Sequence, residues 1–253
     1  MKLKRLFGLL LCVAVVVLVV LAGIRFHNRT CDEVEIIISD KGTNSMMTMQ
    51  SVEKMLKAAD VYPLGKMVKN IHRDDIEKAL QKDIWFHKLN NLSSKGSKVI
   101  LNVAVKVPLV QVFPESGTPY IITADGYLLP LSPDIHDKVI VANGHILTQY
   151  APKLKVSTVK DNTLKRIYKV ANAIHNNEIY FSQYSQIFVA PDNQLQLYNN
   201  IFQHTALIGY GDDIDTKLAN LQIVYSKGIV YMDHSYSQLD ARFAKRIYAT
   251  RKQ

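Results

Sequence analysis

The chain has 253 residues, 48% of them hydrophobic, and its 31 Lys and Arg outnumber its 22 Asp and Glu to give a formal net charge of +9. That much apolar material excludes a disordered chain and suffices for one large or two small packed domains. Only two cysteines are present, one within an apolar run (Cys12) and one beyond it (Cys31), which excludes a disulfide framework and a Cys-based zinc site.

Leu6 to Ile24 carries no charge, Asn or Gln. As a helix this run reaches roughly 28 Å, close to the ~30 Å hydrocarbon core of a bilayer. Lys2, Lys4 and Arg5 precede it, and Asp32, Glu33 and Glu35 soon follow. The positive-inside rule then makes residues 1–5 a cytoplasmic tail and 6–24 a single transmembrane helix, with Leu6, Leu10, Val15, Leu21 and Ile24 in the anchor. Everything after Ile24 is expected outside. The run exceeds the apolar core of about 7–15 residues in a cleaved signal peptide, so retention is preferred even though Val20-Leu21-Ala22 is a tolerable cleavage site. Ile24 stands where a lipidation box needs Cys.

Residues 25–33 read as a linker and 34–107 as a first domain. Val34 to Ser39 is a β-branched strand closed by Asp40-Lys41-Gly42. Thr48 suits a helix N-cap, and Met49, Val52, Leu56 and Ala59 follow at helical spacing. Pro63 and Gly65 break the chain. Asp74 and Asp75 suit a first helical turn, with Ile76, Ala79 and Leu80 on its apolar face. Lys88 to Ser93 is extended, Ser94 to Ser97 is a turn, and Val99, Leu101, Val103, Val105 and Val107 alternate. The order β-α-α-β-β predicts a three-stranded sheet with two helices on one face.

Residues 108–253 have a different rhythm, that of a mixed, mostly antiparallel β domain with two helices. Tyr120 to Thr123 and Tyr127 to Leu129 flank an Asp125-Gly126 turn. Lys138 to Ala142 is a strand closed by Asn143-Gly144. Leu164, Ile167, Tyr168, Ala171 and Ile174 mark a helix. Gln186 to Ala190 and Gln194 to Tyr198 form a hairpin around Pro191-Asp192-Asn193, and His204 to Ile208 adds a strand. Leu218, Leu221 and Tyr225 mark a helix capped by Asp212 or Asp213 and ended near Gly228. Tyr236 to Tyr248 is one long terminal strand. The overall class is α+β.

No catalytic constellation is present. Gly211-Asp212-Asp213 matches a polymerase metal tripeptide, but no further Asp motif or nucleotide cradle supports it, and helix capping is the favoured role. The eight His show no ligand spacing, and there is no Gly-x-Ser-x-Gly elbow or phosphate loop. The basic residues are scattered, with short clusters such as Lys165/Arg166, Lys245/Arg246 and Arg251/Lys252, and carry no nucleic-acid motif. A non-enzyme with no cofactor, metal, nucleic acid or small-molecule substrate is expected. Tyr198, Tyr210, Tyr225, Tyr231, Tyr236 and Tyr248 suit either a protein-binding surface or half-buried sheet packing.

This order of parts resembles the FtsQ/DivIB cell-division proteins, in a Bacteroidetes-like form. Tyr62 to Lys66, Ile71 and Ile76 to Leu80 are similar to the family's POTRA core, and Trp85 to the tryptophan after its second helix. Val107 to Val112 resembles the exit from POTRA, and Tyr120 to Gly126 with Leu129 to Ser132 its hairpin. Gly209 to Asp212, Lys217-Leu218, Tyr225 and Leu239 to Phe243 are similar to the terminal part. The resemblance implies a bitopic inner-membrane divisome scaffold at the division septum, cytoplasmic at its N-terminus and mainly periplasmic. It implies binding of FtsB-like and FtsL-like proteins and other divisome components, linking septum assembly to septal peptidoglycan synthesis. The alternative is a POTRA-containing subunit of outer-membrane protein assembly or secretion. Recognition is expected by strand addition at an edge around Arg242 and Phe243, with Leu239, Lys245, Ile247 and Tyr248 also in contact. Alternation puts Leu239, Ala241 and Phe243 on one face and Asp240 and Arg242 on the other.

Overall fold

The computed structural model describes residues 15–18, 28–39, 47–132, 135, 138–202, 204–227, 236–243 and 245–252. Of the apolar run, only Val15 to Leu18 are among them, and they are helical. Leu6, Leu10, Leu21 and Ile24 lie outside the described residues, as does Gly228. No helix among the described residues is long and apolar enough to cross a membrane. The chain divides into two compact units, one ending at Val105 and the other running on from Lys106.

The first unit contains β1 (Glu33–Ser39), α1 (Met49–Ala58), α2 (Arg73–Leu80), β2 (Phe86–Lys95) and β3 (Lys98–Val105). Its sheet order is β1-β3-β2, with β1 parallel and β2 antiparallel to the central strand. The alternation in β3 buries Val99, Leu101, Val103 and Val105. Helix α1 starts with a capping box: the Thr48 hydroxyl accepts from the Ser51 amide, and Ser51 Oγ accepts from the Thr48 amide. Val52 and Leu56 are buried as expected, but Met49 is 60% exposed. Met47 is buried in its stead, and Met47 and Val52 hold the N′ and N4 positions where a hydrophobic staple forms. In α2, Asp74 and Asp75 occupy the first turn and Ile76, Ala79 and Leu80 are buried.

Part of the expected linker belongs to this unit. Thr30 bridges Met67, the Cys31 amide donates to Lys66 O, and the Gly65 amide donates to Cys31 O. The Tyr62–Lys66 turn therefore ties down the incoming chain, with Gly65 at φ +78° supplying the reversal. Cys31 is buried, which pushes its thiol above the usual range.

The second unit is one nine-stranded mixed sheet. Its strands are β4 (Pro108–Val112), β5 (Tyr120–Thr123), β6 (Leu128–Pro130), β7 (Ile140–Gly144), β8 (Tyr184–Val189), β9 (Leu195–Asn199), β10 (His204–Gly209), β11 (Tyr236–Phe243) and β12 (Arg246–Arg251). They lie in the order β12-β11-β10-β9-β8-β7-β4-β5-β6. The pairs β4/β7, β7/β8 and β10/β11 are parallel and the other five are antiparallel. The exit segment after Val107 is itself the strand β4, well inside the sheet. Helices α3 (Asn162–His175) and α5 (Ile214–Ser226) bury Leu164, Ile167, Val170, Leu218, Leu221 and Tyr225 against it.

Three sequence expectations fail here. Among the described residues the unit has a third helix, α4 (Glu178–Gln183), where two were expected, because Asn177 accepts from the Ile179 and Tyr180 amides and starts a new helix. Asp213 holds the N-cap position of α5, but at φ +45° and without the expected side-chain bond, and the Asp212 carboxylate instead accepts from Lys217 Nζ at 3.0 Å. Tyr236 to Tyr248 is not one strand. The chain reverses between Phe243 and Arg246, and β11 and β12 pair antiparallel, Leu239 opposite Ala249 and Asp240 opposite Tyr248.

A buried polar cluster sits at the start of β10. His204 Nε2 lies 3.1 Å from the Tyr225 hydroxyl, which lies 3.4 Å from that of Tyr184. Burial pushes the His204 pKa below its ordinary 6.5, opposed by the Phe202 backbone and helped by the Lys252 charge. The unfolded chain therefore binds the proton first. The stability that His204 supplies is present above the unfolded value and is lost as pH falls from there through the lower folded value. Thermal stability of the second unit should thus decline as pH falls below about 6.5, and His204→Gln should flatten that decline. An unchanged slope in the variant would remove His204 as its source.

Candidate partner-docking edge

The nine-stranded sheet has two outer strands. Strand β6 is three residues long and ends in Pro130, so it offers little to pair with. Strand β12 is six residues long and exposed except at Ile247, which is half-buried against the core. Its outward N–H and C=O groups have no partner strand among the described residues. The free edge is therefore β12, not the Arg242–Phe243 stretch: the reversal at Lys245 places β11 between β10 and β12.

The expected site residues fall on this hairpin in distinct roles. Leu239 and Ala241 face the core, each 1% exposed. Phe243 leaves their row because the pairing shifts register between Asp240 and Phe243. Its ring is half exposed and meets Tyr248 edge-on at 5.3 Å. Lys245 is exposed in the turn and Tyr248 is 52% exposed. Arg242 is not free to clamp a partner carboxylate. Its Nε and Nη2 donate to the two Asp240 oxygens at 2.9 and 2.6 Å, and Nη1 donates to Gln194 Oε1 at 3.0 Å. These bonds hold the Asp240 carboxyl below the usual range and raise the guanidinium. Period-2 spacing puts Asp240 and Arg242 on one face, which was the available signal for the pair.

The end of the sheet beside Arg242 is built tightly. A Cβ on Gly209 would lie 3.4 Å from Arg242 Cγ, and one on Gly211 would lie 3.2 Å from Val170. Lys217, 3% exposed on the apolar face of α5, donates to Ile208 O and to Asp212, each at 3.0 Å. The bond to Lys217 lowers the Asp212 pKa. A lysine in the stripe Ile214, Leu218, Leu221 was the sequence sign of this anchor, and it fixes the loop from Gly209 to Asp212.

The sheet face away from the helices is polar and aromatic. One cross-strand row runs Asn143, Phe188, Gln196, Leu207, Asp240, Tyr248; the next includes Val141, Gln186, Tyr198, Thr205, Gln238, Thr250. Tyr198 and Tyr248 are thus half-exposed sheet residues, Tyr225 is core, and Tyr210 lies under Arg166 at 4.6 Å. Tyr231 lies outside the described residues. No group of three His, Cys, Asp or Glu able to hold a metal is present among the described residues.

The chain thus joins a small two-helix unit on a β1-β3-β2 sheet to a mixed sheet that ends in the β11–β12 hairpin. The sequence matches the POTRA-like domain over residues 29–104 and the FtsQ/DivIB C-terminal related family over residues 107–250, more than half of the chain. The chain belongs to the FtsQ/DivIB family and is a cell-division protein. Among curated proteins none matches it.

Proposed function

We propose that the protein is a non-enzymatic, single-pass inner-membrane scaffold of the divisome whose periplasmic β domain captures a strand of an FtsB-like partner on β12. The POTRA-like unit, residues 34–107, folds separately and meets other divisome components, and the anchor at 6–24 holds the N-terminus in the cytoplasm. Binding of FtsB-like and FtsL-like proteins connects septum assembly to septal wall synthesis. The single observation that carries this is the open edge of β12: a six-residue, mostly exposed strand with no partner strand on its outer side among the described residues, in a family of division proteins. Arg246 and Arg251 at its two ends discourage pairing with a second copy and favour an acidic partner strand. Phe243 and Tyr248 supply aromatic contact beside it.

Tyr248 and Ala249 sit opposite consecutive residues of β11 with no register shift between them. In such a ladder one of two neighbours directs its N–H inward and the other outward. Tyr248→Pro and Ala249→Pro therefore separate the two uses of the strand. One should loosen the hairpin; the other should leave the melting temperature nearly unchanged while binding of the FtsB-like partner's periplasmic segment to the full-length protein is lost. If neither proline weakens binding, β12 is not the docking edge. Arg242→Glu is expected to lower stability as well as binding, because it sets a carboxylate against Asp240.

A further inference from the structure

The incoming chain, the Tyr62–Lys66 turn and the β2–β3 turn meet at one end of the first unit. Besides the bonds at Cys31, the Val68 amide donates to Arg29 O at 2.9 Å, the Asp32 amide to Ser97 O at 3.1 Å, and Lys69 Nζ to Asn28 Oδ1 at 2.8 Å. Two large apolar side chains stand out from this end. Leu64, at the tip of the turn, is 50% exposed, and Met67, opposite Thr30, is 42% exposed. A groove of about 160 Å³ lies beside Met67, lined by Val68, Ile71, Leu92, Ser93, Ser94 and Val99. Hydroxyls next to branched aliphatic side chains suit the headgroup–acyl boundary of a bilayer, where polar and apolar groups mix.

The charges fit the same neighbour. Lys69 and Lys95 are exposed, follow lining residues of the groove closely in sequence, and have no ion-pair partner among the described residues. The Asp60 carboxylate is held by Lys66, and those of Glu33 and Glu35 by Lys98, so the two free lysines face exposed Asp32 with positive charge in excess. The position of this end is limited by the chain itself. From Ile24, the last residue of the apolar run, to Thr30 the backbone reaches at most about 20 Å when fully extended. Arg29 to Cys31 are bonded into the turn, so the exposed pair stays close to the point where the chain leaves the membrane. The opposite end does not. Strands β2 and β3 pair Lys95 with Lys98 here and Phe86 with Val105 at the far end, about 25 Å away along the strand. Ile84, 49% exposed, precedes Phe86 at that far end.

We propose that this end of the first unit rests on the outer surface of the inner membrane, with Leu64 and Met67 sunk among the lipids and Lys69 and Lys95 at the anionic headgroups. The unit is then held to the bilayer at two places, the anchor and this surface, instead of swinging on its tether. The proposal rests on the reading of residues 6–24 as a retained anchor.

The test uses the full-length protein, one copy per nanodisc, in mixed phosphatidylglycerol and phosphatidylcholine. Lipids carrying a doxyl group on the acyl chain quench tryptophan emission on contact. Trp85, the single tryptophan of the chain, is 6% exposed and gives a constant background. Leu64→Trp and Met67→Trp, at exposed positions that tolerate substitution, should each add emission that shifts to the blue on reconstitution and is lost to doxyl lipid. Ile84→Trp should add emission that does neither. Adding Lys69→Ala/Lys95→Ala to Met67→Trp should weaken the quenching, as should replacing phosphatidylglycerol with phosphatidylcholine. Leu18→Trp, inside the apolar run, reads the anchor separately. Quenching of Leu18→Trp without quenching at Leu64 or Met67 overturns the proposal and leaves the anchor standing, whereas quenching at none of the three overturns both. Equal quenching of Ile84→Trp, or a blue shift at Leu64 and Met67 without quenching, which marks a protein surface as the cover, also overturns it.

Discussion

Leu101→Asp should unfold the first unit and leave the second intact. Leu101 is fully buried in the central strand β3, with Ile36 of β1 opposite it on one side and Leu92 of β2 on the other. Truncating such a leucine to alanine costs about 2–5 kcal/mol. Aspartate adds the desolvation of an unpaired charge, so the total should exceed about 4 kcal/mol. A unit of about 75 residues has a stability of roughly 4–11 kcal/mol, so most or all of it is lost. Hydrogen exchange on the full chain reads both units at once. Protection should vanish across residues 33–105 and persist across the strands from Pro108 to Arg251. Ile37→Asp, at a position of the same sheet that is 40% exposed, should leave protection in place. Loss of protection in both units after Leu101→Asp would show that they fold as one.

That core was legible because a buried strand writes its face into every second residue, and β3 does so without interruption from Val99 to Val105. The stripes of α1, α2 and α3 were legible for the same reason at the helical period. The hairpin at the end of the chain was hidden because its turn carries no Gly, Pro, Asn or Asp: the sequence runs Phe243-Ala244-Lys245-Arg246, and alternating apolar residues continue on both sides. Moving the free edge from β11 to β12 follows from that single unseen turn. The internal pairing of Arg242 was hidden for a different reason. Its residue type fits a carboxylate clamp, but the carboxylate it clamps is Asp240, two residues earlier on the same face. Strand β4 was read as an exit segment because Pro108 opens it, although the strand's first residue is a place where proline is tolerated. The three parallel pairings in the second sheet were invisible, since the order of strands in space is set by long connections, through α3 and α4 for β7/β8, through α5 for β10/β11 and through β5 and β6 for β4/β7, not by any local pattern.

Gly144→Ala should be the most damaging single-methyl change in the second unit. Gly144 ends β7 at φ +96°, a backbone state that side chains with a Cβ rarely adopt. The space is also closed: an added Cβ would stand 2.2 Å from Val189 O and 3.0 Å from Phe188 Cε2. Val189 lies opposite Gly144 in the parallel β7–β8 pair, and its carbonyl accepts from the His145 amide at 2.9 Å. The clash is therefore with backbone, not with the end of a flexible side chain, and relieving it separates two interior strands of the sheet. Strain of about 1–3 kcal/mol for the dihedral adds to the loss of that bond and of local packing, so the cost should exceed about 3 kcal/mol. Gly65→Ala isolates the first term, since Gly65 has φ +78° and nothing within 4 Å of its would-be Cβ. It should cost about 1 kcal/mol in the first unit. Chemical denaturation of the two variants, followed by exchange in each unit, gives both numbers. A Gly144→Ala protein whose second unit keeps its stability to within about 1 kcal/mol would mean that β7 and β8 move apart without cost, and the parallel register assigned to them would then be wrong.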